Sequence, residues 1–230
     1  MSAQTTPALT IDVWSDVMCP WCIIGYKQLE TALAALDGEI AAEIRWRPFE
    51  LNPDMAAEGE DSAAHLARKY GRTAQQAADA RVRMSDMAEA AGYSFRYTGA
   101  GEPPAARMWN TFLAHKLLAH TLRAHGAAAQ TRLKLALFDA HFQQRRDVSD
   151  RAVLTEIYEG VGLPGYEAEI AFDDPVLGEL VRAEEEQAMD LNIAGVPAMV
   201  VGGRFLIPGA QDPETYTAAL RRAVERGMAV

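Results

Sequence analysis

Cysteine is almost absent from this chain: there are two among 230 residues, Cys19 and Cys22, and they sit three positions apart. So few excludes a disulfide framework. It also argues against structural zinc, which takes about four ligands where one Cys-x-x-Cys without finger-spaced histidines supplies two. No bound metal is therefore expected. Missing too are any dense Lys/Arg run and any apolar run long enough to span a bilayer, and Met1 to Thr10 lacks the basic start and apolar core of a signal peptide. With a formal net charge of −10, the chain has little means of neutralising a phosphate backbone. Neither nucleic acid nor a membrane is expected as a partner, and the expected compartment is the cytoplasm. There a lone cysteine pair rests reduced and is used transiently. What the chain does have is 49% hydrophobic residues, enough at this length for the core of one large domain or of a domain carrying an insertion.

The cysteines lie at a change of periodicity. Leu9 to Trp14 alternates as a short strand, while Cys22, Tyr26, Leu29, Leu33 and Leu36 recur at helical spacing. Pro20 suits a first helical position, which leaves Cys19 at or beside the N-cap and Cys22 one turn along the same face. Unpaired N–H groups and the helix dipole favour an anion there, so Cys19 is expected as a thiolate nucleophile and Cys22 as the resolving thiol. A purely structural disulfide over so short a loop would remove little chain entropy. The redox reading is preferred.

Further along, the helix ends at Asp37-Gly38 and Ala42 to Phe49 alternates again, making a strand, crossover helix and parallel strand. After Asn52-Pro53 the composition turns helical. The expected helices are Ser62 to Tyr70, Thr73 to Ala91, Pro104 to Arg123, Ala127 to Phe142, Asp150 to Gly160, Tyr166 to Phe172 and Pro175 to Leu191. Ala198 to Val201, a two-residue Gly202-Gly203 turn and Arg204 to Ile207 read as a hairpin, followed by a helix from Pro213 to about Arg226. The fold class is α/β: a thioredoxin fold with a large all-helical insertion. The thioredoxin-like domain is discontinuous, over 8–53 and 192–230, and the insertion covers 54–191. The insertion is expected to lie over the cysteine end of the sheet and to wall a cleft.

Three motifs, Cys19-Pro20-Trp21-Cys22 after Trp14-Ser15-Asp16, Arg47-Pro48-Phe49-Glu50-Leu51-Asn52-Pro53, and Gly195-Val196-Pro197-Ala198, together resemble the FrnE-type branch of the DsbA family, thioredoxin-fold disulfide oxidoreductases. The resemblance runs nearly end to end. It extends in layout to the 2-hydroxychromene-2-carboxylate isomerases and kappa-class glutathione transferases, which carry serine where this chain has its cysteine pair. It implies that Val196 and Pro197 form a cis-proline loop against the sulfurs and present the Val196 backbone to an extended partner. It also implies that Asn110 faces the active site.

From the residues alone, Pro197 is more often a strand entrance than a cis bond, Trp21 a partly exposed apolar contact for substrate, and Asn110 a helix-surface amide. Asp16 is read as a loop cap whose charge would oppose a nearby thiolate, and Glu184-Glu185-Glu186 as a solvated helix face. His115, His120 and His125, five apart along helical sequence, are expected to turn by about 140° per step, so not to converge, and to be solvated or capping. The expected activity is thiol–disulfide exchange with protein or small-molecule thiols and disulfides, glutathione included as partner or substrate, with no bound cofactor. Two alternatives stand beside it. One is a glutathione-dependent isomerase or transferase, the other a binding protein whose cysteines sense oxidation.

Overall fold

The central strand β1 (Ala8–Ser15) pairs in parallel with β2 (Ala41–Pro48) on one side and antiparallel with β5 (Ala198–Val201) on the other. β6 (Phe205–Pro208) continues from β5, giving a four-stranded sheet in the order β2-β1-β5-β6. This is the thioredoxin arrangement in a computed structural model that describes residues 6–71 and 73–229. α1 (Pro20–Ala35) makes the crossover between β1 and β2, and α8 (Pro213–Glu225) packs beside it. Leu9, Ile11 and Val13 meet Ile23, Leu29, Tyr216 and Leu220 in one buried core. Trp14, on the other face, packs with Ala188, Ile193, Ala198 and Val200. That alternation is what period-two burial of a central strand requires.

Between β2 and β5 come α2 (Ser62–Tyr70), α3 (Ala74–Ala90), α4 (Phe112–Phe138), α5 (Arg151–Gly160), α6 (Gly165–Asp173) and α7 (Pro175–Asp190). Side-chain caps at Asp61, Thr73, Asp150, Asp174 and Asp212 accept from N–H groups of the following first turns, which is why these starts were legible. A second core joins Leu117, Leu133, Leu137, Leu154, Tyr158 and Phe172 to Val17 and Met18. Among the described residues, no helix is long and apolar enough to cross a membrane.

Two local expectations change and one holds. The helix placed from Pro104 begins only at Phe112, because Arg107–Met108 (β4) pairs antiparallel with Glu60–Asp61 (β3) and the Asn110 side chain turns the chain into the helix. The two helices expected on either side of Gly126 are both present within α4, meeting at Gly126, whose φ of 81° and ψ of 177° are not helical, and the second closes in a π-helical turn at Asp139–Gln143. The hairpin loop holds three residues, Gly202, Gly203 and Arg204, since Val201 pairs with Phe205. Both glycines have positive φ there, as the turn was expected to need.

Candidate active site

The cysteine turn lies on the seam between two cores. Val17 and Met18 belong to the helical one, Cys19 and Cys22 to the one under the sheet. Cys19 is the N-cap of α1 in extended conformation, Pro20 occupies the first helical position, and the Cys22 N–H donates to the Cys19 carbonyl at 3.0 Å. Both thiols are free and buried, Cys19 at 3% exposure and Cys22 at 0%. The Val196–Pro197 bond is cis, and the Cys19 Sγ–H donates to the Val196 carbonyl at 3.6 Å. α1 comes close to this loop at Gly25, where a Cβ would stand 3.1 Å from Pro197 Cγ and 3.3 Å from Ala210. Trp21 is 39% exposed on the first turn of α1.

A thiolate at Cys19 is not what these surroundings favour. The Cys22 side chain, burial and the Asp16 charge push the Cys19 thiol well above the ordinary cysteine value, and only the Cys22 N–H pulls the other way. Against the pull of the helix start on an anion stand the Cys22 side chain first, then lost water, then the Asp16 charge. Asp16 itself is fully buried and accepts from Leu51 N at 2.8 Å and Met18 N at 3.3 Å. Burial opposes its charge, but His115, the Leu51 N–H and Lys134 outweigh that and hold its carboxyl below the usual range. His115 Nε2 stands 3.8 Å from Asp16 Oδ1, an ion-pair separation rather than a hydrogen bond.

Lys134, which sequence reasoning missed, enters from the far half of α4. Its Nζ donates to the Ser15 carbonyl at 3.2 Å and lies over the rings of Phe138 and Trp46 at 5.0 and 5.3 Å. Burial pulls its ammonium down to about 8, against the charges of Cys22, Asp16 and Cys19. His141, from the π-helical turn, is buried as well, and burial pulls it to about 4. A cluster of Asp16, His115, Lys134 and His141 thus underlies the turn. No local periodicity signals it, because each member looks like one polar residue in an ordinary helix.

The loop after β2 ties the turn to the insertion. Arg47 bridges Asp12 at 2.7 Å and Glu184, and Glu50 pairs with Arg182 while its N–H donates to Glu185 at 3.0 Å. Two of the three glutamates expected on a solvated face are therefore spent on the edge of the sheet. Burial pushes the Glu184 carboxyl up, with Arg47 opposing. Lys69 donates to the Leu51 carbonyl and to Asn52 Oδ1. Asn110, expected to face the sulfurs, accepts from Phe112 N at 3.0 Å and reaches the Pro53 carbonyl at 3.5 Å, which makes it a brace between that loop and α4. The histidine expectation is corrected as well: His120 and His125 both turn to Glu167, because a carboxylate brought up by α6 lies between the two directions in which their side chains leave α4.

The profile of the DsbA-like thioredoxin domain matches residues 10–221. The chain belongs to the DsbA-like thioredoxin-domain family. The structure is similar to that of the probable DsbA oxidoreductase SCO1869 from Streptomyces coelicolor, at 30% identity and a TM-score of 0.82 over 94% of this chain and 90% of that one. A full-length relative, the uncharacterized protein YwbO of Bacillus subtilis, is 25% identical over 211 residues, 91% of this chain and 94% of its own length. The fold is shared with a 2-hydroxychromene-2-carboxylate isomerase at 13% identity and a TM-score of 0.64, over 95% and 97% of the two chains. Within this DsbA-like frame the chain keeps both cysteines of the Cys-x-x-Cys pair.

Proposed function

We propose that this DsbA-like protein is a thiol–disulfide oxidoreductase in which Cys19 forms the mixed disulfide and Cys22 resolves it. The observation that carries the reading is the position of Cys19 Sγ at the start of α1, 3.6 Å from the Val196 carbonyl beside cis-Pro197, with Cys22 one turn inward. As a reductant, Cys19 loses its proton and attacks a substrate disulfide, whose distant sulfur leaves and takes up a proton. Cys22 then loses its proton and attacks the Cys19 sulfur, the second substrate sulfur leaves and is protonated, and two electrons have passed from the dithiol to the substrate. Lys134 is the buried cation that lowers the cost of charge on Cys22, and Val196 offers its backbone to an extended substrate segment. Trp21 adds apolar contact at the rim.

The way the reduced pair is held supports the reducing direction. DsbA-type oxidants are strong because their reduced form is stabilised. Here the Cys22 side chain, burial and Asp16 all work against a Cys19 thiolate, which supports a pair that gives electrons up, in keeping with the cytoplasmic reading and with recharging by glutathione or another thiol. Segments 8–53 and 192–230 carry the sulfur chemistry in this reading, and 54–191 supplies the substrate wall.

The test is adduct trapping. After incubation with oxidised glutathione, Cys22→Ser should hold one glutathione on Cys19 by mass spectrometry and lose turnover of an insulin disulfide substrate. Cys19→Ser should hold none and be inactive. A Cys22→Ser protein with full activity and no adduct would overturn the reading in favour of glutathione-dependent isomerase or transferase chemistry.

A further inference from the structure

A second group of chemistry-bearing side chains gathers where α4 meets α6. His120 and His125 lie on α4 just before its joint at Gly126, and Glu167 opens α6. Their donor atoms all lie within 4.8 Å of one another. His120 Nε2 and His125 Nε2 stand 3.5 and 2.5 Å from the same oxygen, Glu167 Oε2. A surface ion pair needs only His125 and Glu167. The third group is what such a pair leaves unexplained: His120 Nε2 is shielded from water and makes no hydrogen bond.

We infer that His120, His125 and Glu167 form a site for a divalent transition-metal ion of the zinc class. Imidazole and carboxylate donors suit zinc, cobalt, nickel and copper, and two histidines with one glutamate leave a tetrahedral ion one open position for water. Donors about 2.0–2.2 Å from a tetrahedral ion lie roughly 3.4 Å apart, close to the 3.5 Å between His120 Nε2 and Glu167 Oε2. His125 must draw back by about 1 Å to reach the same spacing. It has room to do so, since its side chain is 27% exposed. Glu167 is already aimed: Tyr158 Oη donates to its Oε2 at 3.2 Å and Tyr166 Oη to its Oε1 at 3.5 Å, the kind of outer contact that orients a ligating carboxylate. A metal here would pin α6 to the end of the first half of α4, next to the joint beyond which Gln130 and Lys134 run to the sheet.

The experiment is calorimetric titration of the untagged full chain with zinc chloride, its cysteines held as the disulfide so that the sulfurs do not compete. One equivalent should bind, and His125→Ala, His120→Ala and Glu167→Gln should each weaken binding at least tenfold. Cobalt in place of zinc should give visible ligand-field bands without a thiolate charge-transfer band. Circular dichroism of the metal-free variants checks folding, and His120→Gln, with the same tenfold loss expected, replaces the alanine variant should that one unfold. Absence of saturable one-equivalent binding, or an affinity indifferent to all of these substitutions, overturns the inference. Neither result bears on the chemistry of Cys19 and Cys22.

Discussion

Lys134 Nζ donates to the Ser15 carbonyl at 3.2 Å, so a fully buried ammonium is anchored at the root of the turn that carries both cysteines. Lys134→Met keeps most of the stem and removes the charge. Steady-state disulfide reduction at pH 7 should fall tenfold or more, with a glutathione adduct accumulating on Cys19 because resolution by Cys22 is slowed. Burial holds the folded pKa near 8 against 10.5 for a free lysine. The unfolded chain therefore binds the extra proton, and stability gains with pH between those values. That rise should be missing from the variant. Unchanged turnover and no adduct would remove Lys134 from the resolving step.

The second prediction concerns Cys19 itself. With the Cys22 side chain, burial and Asp16 all raising its pKa, the rate of alkylation by iodoacetamide should still be climbing above the free-cysteine value of about 8.5. The Asp16→Asn variant should react faster at neutral pH. A plateau reached below that value in the wild type would contradict the geometry given for the turn.

Glu50 offers a pH signature away from the sulfurs. Burial and then the Glu185 charge raise its carboxyl to about 7, despite Arg182. The folded state then holds a proton that the unfolded chain has released above its ordinary carboxylate pKa, so stability falls as pH rises from about 4.5 to about 7. The full effect is on the order of 3 kcal/mol. Glu50→Gln should flatten the fall in Tm over that window by several degrees. Parallel pH profiles for the two proteins would show that Arg182 keeps Glu50 ionised throughout.

Gly25 tests the fit between α1 and the proline loop. Alanine would favour the helix by up to about 1 kcal/mol, but its methyl would press on Pro197 Cγ at 3.1 Å and on Ala210 at 3.3 Å. Gly25→Ala should leave Tm within a few degrees of wild type while kcat/KM falls about tenfold, because the displaced loop moves the Val196 carbonyl from Cys19. An unaffected kcat/KM would mean that the loop yields without moving Val196.

Much of this was legible in the residues, and the limits have a common cause. Helix starts carried their own caps, at Asp61, Thr73, Asp150, Asp174 and Asp212, and the cysteine pair stood out by its spacing. The cluster beneath the turn did not. Lys134 and His115 sit on opposite sides of the Gly126 joint, and their meeting near Asp16 depends on the angle of that joint, whose place the residues give but whose direction no local pattern sets. Gln130 is similar. Its side chain accepts from Trp46 N and donates to Trp46 O, each at 2.9 Å, standing in for a neighbouring strand along the open edge of β2. Nothing in an alanine-rich helix distinguishes such a glutamine from a solvated one. The glutamates of α7 and His120 with His125 misled for the same reason, since periodicity reports which face a residue takes and not what arrives opposite it.

The pairing of β1 with β5 sets Ile11 against Val201 and Trp14 against Ala198. During synthesis the cysteine turn consequently leaves the ribosome long before the proline loop that flanks it, because Cys19 and Val196 stand 177 positions apart. Over that interval Cys19 and Cys22 are joined to a strand that lacks its second neighbour. The closure that completes the sheet has a large sequence separation, which makes it slow to form. Two thiols that end up buried must first pass through a long exposed period in the nascent chain.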